Sequence, residues 1–380
     1  MFSAALRVAR EQDRALLDLT VSNPTACGFA YDAAALLAPL GGEAALAYDP
    51  DPRGMRSARE AVGRYYRDHG AEVDPDAVVL TTSTSEAYSF LFRLLCDPGD
   101  EVLVAQPSYP LFDFLADLDD VRLVPYPLFY DFGWWIDFAE LERRIGPRTK
   151  AILVVHPNNP TGNWTHRAER ERLEAICAER GLALIVDEVF LDYPLAGEGE
   201  SSAAGSFAKG PHPALTFVLS GMSKIAALPQ MKVSWVATFG PELLAVEALG
   251  RLEVIADTFL SMSAPVQLAL PAWLTGREAM QWQIQERTTA NLAVLGEFGG
   301  RGGESGIELL RAEAGWAAVL RIRGAGREDV AGWLLEAAGV VVHPGGFYGL
   351  GDWRAIVVSL LTPEGIFCDG IERMMKVIAG

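Results

Sequence analysis

Short apolar runs alternate with longer helix-patterned segments through the first two thirds of the chain, and that alternation narrows the choice of fold more than any other feature. The strand-like runs are "AVVLTT" (77–82), "EVLVAQ" (101–106), "VRLVPY" (121–126), "AILVVH" (151–156), "ALIVDE" (183–188), "LTFVLS" (215–220) and "KVSWVATFG" (232–240). Several are apolar on both faces, as strands covered on both sides must be. Helical patterns such as "SEAYSFLFRLLC" and "RAERERLEAICAER" lie between them. The expected fold class is α/β, a mostly parallel sheet sandwiched by helices. After a long helical stretch, "GPELLAVEALGRLEVIADTFLSMS", the pattern changes to strands "GWAAVLRIRG", "GVVVHPGG" and "RAIVVSLL" separated by helices. This predicts a large domain over 41–265 and a smaller α+β domain made of 1–40 plus 266–380. "GEGESSAAGS" (197–206) reads as a loop.

Charge and composition exclude several partners. With 32 basic and 50 acidic residues in 380, the net charge is −18, which disfavours nucleic acid and anionic membranes. A bound anion must therefore be held by local donors. The four cysteines, Cys27, Cys96, Cys177 and Cys368, show no paired spacing, so neither a disulfide framework nor a metal site is expected. No apolar run reaches the ~18 residues of a membrane span, and the first residues lack a signal-peptide core. A soluble, cytoplasmic globular protein is the expectation.

In open parallel sheets ligands sit beyond the carboxyl ends of the strands. Five strand ends carry polar residues: "TTSTSEAY", "AQPSYP", "VVHPNNPTGN", "ALIVDEVF" and "LSGMSK". Taken singly, most have ordinary explanations. Hydroxyls before a helix cap it, an aspartate after a strand closes a turn, and Asn-Pro pairs are turn residues. Lys224 is different, because an ammonium in an apolar, small-residue run is costly unless something consumes the charge. A lysine that forms an imine, a carboxylate that pairs with a cationic ring nitrogen, and a hydroxyl-rich helix N-terminus that seats a phosphate all describe one ligand, pyridoxal 5′-phosphate.

With "PNNPTG", "SGMSK", "DEVF", "PSYP" and "AYDPDPRG" in this order, the chain resembles the class I/II aminotransferases of the aspartate aminotransferase family, with the type I fold of pyridoxal-phosphate enzymes. The resemblance implies roles. Lys224 would form the Schiff base and then shuttle the substrate Cα proton. Asp187 would hold the pyridine N–H⁺, Asn159 the phenolic oxygen, and Tyr109 would stack on the ring. Thr84, Ser85, Ser220, Ser223 and Lys232 would hold the phosphate. Tyr48 would reach the phosphate in a neighbouring subunit, implying a homodimer with shared sites.

The resemblance also has gaps. Phe190 stands where the family carries a tyrosine, Lys232 where it carries an arginine, and Ser83 where a glycine is expected. The arginine that grips the substrate carboxylate falls at Val357, leaving Arg354 and Arg321 as substitutes and Asn23 as a further substrate contact. The expected activity is transfer of an amino group from an amino acid to a 2-oxo acid. The alternatives are a lyase, decarboxylase or racemase at the same site. A cofactor-binding regulatory module would need an attached DNA-binding domain. A nicotinamide dehydrogenase would need GxGxxG after its first strand, and the glycines of 299–303 lack that context.

Overall fold

The structure, a computed structural model, describes residues 2–12, 14–48, 50–195, 205–260, 262–298, 306–323, 329–352 and 354–379. Most of the loop expected at 197–206 and the glycines of 299–303 lie outside the described residues.

In chain order the strands are β1 (Leu17–Asp18), β2 (Val78–Thr81), β3 (Glu101–Gln106), β4 (Arg122–Tyr130), β5 (Trp134–Ile136), β6 (Thr149–Val155), β7 (Ala183–Asp187), β8 (Thr216–Gly221), β9 (Ser234–Phe239), β10 (Ile307–Leu309), β11 (Ala317–Ile322), β12 (Val340–Val341), β13 (His343–Pro344) and β14 (Ala355–Ser359). Eight form one sheet in the order β2-β9-β8-β7-β6-β3-β4-β5. The central run β8-β7-β6-β3-β4 is parallel. Strand β9 is antiparallel to both β8 and β2, and β5 to β4. All five residues of β7 are buried, as are all six of β8, matching their apolar sequences. A layer of core lies on each side of this sheet. Tyr65, Tyr66, Leu173 and Trp235 belong to one, and Phe90, Leu91, Leu252 and Val236 to the other.

The strand expected to end at Tyr126 continues to Tyr130 and turns back as β5. Pro125 and Pro127 concealed that hairpin. Strand β4 pairs with β5 only over Leu128–Tyr130, so both prolines sit where one side of the strand needs no N–H donor. Phe129 and Phe132 are exposed there and Trp134 is buried; none of these aromatics lines the main cavity.

The second sheet is antiparallel, in the order β10-β11-β14-β13, and β1 pairs with β12 in parallel, tying the N-terminal segment to the C-terminal part. Its core contains Leu19, Ile322, Val330, Leu334, Ile356, Val358, Phe367 and Ile371. The helix Ala264–Thr275 packs elsewhere. Its Leu270 and Trp273 join the large-sheet core with Tyr65, and the Trp273 indole donates to Leu36 O at 2.9 Å.

Candidate active site

A cavity of about 330 Å³ opens at the edge of the large sheet where β3, β6, β7 and β8 end, and the second sheet closes it from the other side. Three strands bring their ends together here by register. Gly221 at the end of β8 pairs with Ser234 at the start of β9, and Ser234 pairs with Thr81 at the end of β2. The hydroxyl cluster after β2 and the lysine segment after β8 therefore meet at one edge. That approach depends on Gly221. A Cβ there would lie 2.1 Å from Ser234 Oγ and 2.9 Å from Val233 O, so a side chain has no room.

Asp187, the last residue of β7, is 6% exposed and lines the cavity. Its Oδ2 accepts from the Tyr88 hydroxyl at 2.6 Å and its Oδ1 from the Val189 N–H at 3.0 Å. Burial raises its pKa, and these two donors with the nearby Lys224 charge act against that rise. Lys224 follows on the short helix Met222–Ile225. Burial lowers the pKa of its amine, opposed by the charge of Asp187. The ammonium lies over the rings of Trp316 and Phe190, at 5.4 and 5.9 Å from their centroids, and the Tyr193 hydroxyl holds the Lys224 carbonyl at 2.6 Å. No hydrogen bond or ion pair to Nζ is found among the described residues. The Asp187 charge and the two ring faces offset the cost of this desolvated amine only in part.

The helix Thr84–Leu95 points its N-terminus into the cavity, with Ser83, Thr84 and Ser85 on the lining. The ordinary capping explanation holds for Ser83. Its Oγ accepts from the Glu86 N–H at 3.1 Å while Glu86 Oε2 accepts from the Thr82 N–H at 2.6 Å. Thr84 and Ser85 stand beyond the cap. Ser223 and Lys232 line the same cavity, Lys232 in a left-handed conformation (φ 54°) after the turn Pro229–Met231. The two neighbouring asparagines divide their roles. Asn158 is buried in its own turn, donating to Pro107 O and Thr161 Oγ1, whereas Asn159 lines the cavity. Tyr109 also lines it, edge-on to Phe112 at 5.8 Å.

Four expected contacts are placed elsewhere. Ser220 is fully buried, and its hydroxyl donates to Glu188 O at 3.4 Å, because its position in β8 turns it into the sheet core. Asn23 caps the turn Pro24–Ala26, its Oδ1 accepting from Thr25 N–H and Oγ1 at 3.1 and 2.8 Å; Thr20 and Ser22 line the cavity instead. Arg354 binds Asp352 at 3.1 Å. Arg321 binds Asp352 and Glu308 at 2.8 and 3.3 Å. Glu308 on the edge strand β10 and Asp352 just before β14 hold these arginines, and neither arginine lines the cavity. Val357 does, as do Val358 and Ser359. Tyr48 is 78% exposed and outside the cavity.

Tyr88, Trp316, His343 and Tyr348 were not singled out from the sequence. Only Tyr88 carried a local signal, standing within the helix whose N-terminus faces the cavity. The other three reach the site by long-range pairing. Among the described residues no cluster of side chains could hold a metal ion, and no helix is long and apolar enough to cross a membrane.

Comparison with known proteins gives the family. The family model for aminotransferase class I and II matches residues 39–366. A glutamate-pyruvate aminotransferase of Haemophilus influenzae is 27% identical over 277 residues, 73% of this chain and 67% of the relative. An arginine-pyruvate transaminase of Pseudomonas aeruginosa is 29% identical over 355 residues, 89% of this chain and 84% of its own length. An alanine aminotransferase of Mycobacterium tuberculosis is 30% identical over 73% of this chain and 64% of its own. The matched stretch thus spans about two thirds of the Haemophilus and Mycobacterium relatives. Alanine aminotransferase from Pyrococcus furiosus (24% identity, TM-score 0.85) covers all of this chain with 96% of its own, and aspartate aminotransferase from Thermotoga maritima (21%, 0.82) does the same. These two share the fold.

Proposed function

The chain belongs to the class I and II aminotransferases, and from that premise we propose that it transfers an amino group between an amino acid and a 2-oxo acid using pyridoxal 5′-phosphate bound at Lys224. The observation that carries this reading is a desolvated amine, with no hydrogen bond or ion pair among the described residues, placed beside a buried carboxylate in one cavity. The donor set fits the cofactor. A buried carboxylate whose pKa rise is opposed by Tyr88 and the Val189 amide suits a protonated pyridine nitrogen. A helix N-terminus with Thr84 and Ser85, together with Ser223 and Lys232, suits a phosphate. When bound, the cofactor supplies an aldehyde for amine capture and an electron-accepting ring.

The chain's own groups do the rest. Lys224 would hold the aldehyde carbon covalently through Nζ. Once displaced by the substrate amine, its amine would take the proton from the substrate Cα and return it on the other side of the transfer, a task that a lowered pKa suits. Asp187 would keep the ring nitrogen protonated. Asn159 would donate to the ring oxygen, with Phe190 unable to assist because a phenyl ring has no donor. Tyr109 would cover one ring face. Phe190 and Trp316 flank the amine.

The division into a large part, 41–265, and a small part, 1–40 with 266–380, belongs to this reading and is supported by the two main sheets, although the helix Ala264–Thr275 packs on the large part. So does a homodimer. Leu46 and Tyr48 are exposed, and the helix Glu242–Phe259 exposes Leu243, Val246 and Val254, an apolar surface that a second copy would cover. Four free cysteines are compatible with a reducing, cytoplasmic setting.

The relatives' names share pyruvate or alanine, which makes L-alanine with pyruvate the first pair to test. Holoenzyme mixed with L-alanine alone should convert its cofactor to the amine form and release pyruvate without ammonia; a second amino acid or oxo acid should then complete the cycle. Release of ammonia or carbon dioxide in the half-reaction would favour the lyase or decarboxylase alternative.

A further inference from the structure

An amino acid and a 2-oxo acid both bring a carboxylate, which needs a seat separate from the lysine that handles the amine. Among the described residues lining the cavity, Lys224, Lys232 and His343 are the ones able to carry positive charge. Both lysines come from the segment after β8; His343 alone comes from the small sheet. Arg321 and Arg354 are held by Glu308 and Asp352 outside the cavity.

The strand register gives His343 its significance. Strands β13 and β14 are antiparallel, and His343 pairs directly with Val357. Cross-strand partners share a face with their Cβ atoms about 5 Å apart, and both residues line the cavity. By the family resemblance Val357 occupies the arginine position, so an imidazole stands one strand across from where a guanidinium is expected.

The imidazole is also oriented. Tyr348, another lining residue, places its hydroxyl 2.9 Å from His343 Nδ1. With that hydroxyl donating, Nδ1 accepts and the ring proton sits on Nε2, leaving an N–H donor for a carboxylate oxygen. Nearby in the same wall, the buried indole N–H of Trp316 has no partner among the described residues.

We propose that His343, oriented by Tyr348, seats the substrate carboxylate across the strand pair from Val357. The proposal rests on the transamination reading above and assigns it a substrate-recognition residue. A single imidazole donor lacks the bidentate fork of a guanidinium, so binding of small amino acids should depend on it strongly while remaining modest overall.

Propionate, a bare carboxylate of alanine's size, tests the seat directly by calorimetric titration of the folded protein, checked by its melting curve. His343→Phe should weaken propionate binding about tenfold, the loss of one hydrogen bond to a charged group. Tyr348→Phe should weaken it less, and His343→Arg should restore it. On holoenzyme, His343→Phe should raise the KM for L-alanine by more than it lowers kcat. Unchanged propionate affinity in folded His343→Phe, no propionate binding by the wild type, or a kcat loss at constant KM would each overturn the proposal. If His343→Phe does not fold, the Tyr348→Phe and His343→Arg titrations decide it by the same criteria. A wild type that transaminates nothing yet binds propionate through His343 would sink the proposed activity and leave the carboxylate seat standing.

Discussion

Lys224 shows most plainly what a single residue costs and does. Its amine is desolvated, which disfavours the charged form in the folded chain. The sign follows: a lysine whose folded pKa is depressed is a net burden at pH values where the unfolded chain carries the charge. Lys224→Met should therefore stabilise the cofactor-free protein at pH 7, with the gain shrinking as the pH rises through the ordinary lysine range, as chemical denaturation at pH 7 and in strong base would show. The same variant, and Lys224→Ala, should retain no cofactor after borohydride reduction and denaturing electrophoresis; full activity in either would refute the role given to this residue. Tyr88 acts through Asp187. Tyr88→Phe removes a hydrogen bond to a buried carboxylate and should cost about 2 kcal/mol at pH 8, less as Asp187 gains a proton in acid.

At the scale of elements, the site is made by strand ends meeting in register, and Gly221 is where that meeting leaves least space. Gly221→Ala should push β8 and β9 apart near Ser234 and destabilise the protein by about 1–3 kcal/mol, read as a lower unfolding midpoint with a larger fractional loss of cofactor affinity. Glu188, the residue just after strand β7, carries a second test. It is fully buried, with its carboxylate accepting from Ser206 Oγ and the Phe207 N–H, and burial pushes its pKa from 4.5 up to about 7. A raised carboxyl pKa means that folding is penalised once the unfolded chain loses its proton. Wild-type stability from this group should fall between about pH 4.5 and 7, by about 3 kcal/mol in total. Glu188→Gln is exempt, so its stability relative to wild type should rise by about that amount from pH 4 to pH 8.

For the whole molecule, two sheets of different topology close one cavity, and the proposed roles put recognition on the second sheet and chemistry on the first. The exposed apolar residues of the helix Glu242–Phe259 and of the segment around Tyr48 lie outside that cavity. Replacing Val246 and Val254 with lysine should shift the particle mass by light scattering from two chains to one, since buried like charges oppose a symmetric contact. Parallel loss of activity would follow from the role given to Tyr48 at a neighbouring site.

Sequence by itself determined the α/β alternation, the polar strand ends and the identity of Lys224, Asp187 and Asn159 as cavity residues, because these depend on local periodicity and on what directly follows a strand. Ser220 and Asn23 were misplaced because a face and a turn were at stake, and a one-residue step along a strand reverses the face. The substrate side could not be read along the chain at all. Arg321 and Arg354 are drawn off by Glu308 and Asp352, and His343 reaches the cavity only because β13 lies against β14 in one register. Ion pairs and strand pairing join residues distant in sequence, and only the folded chain decides which of them meet.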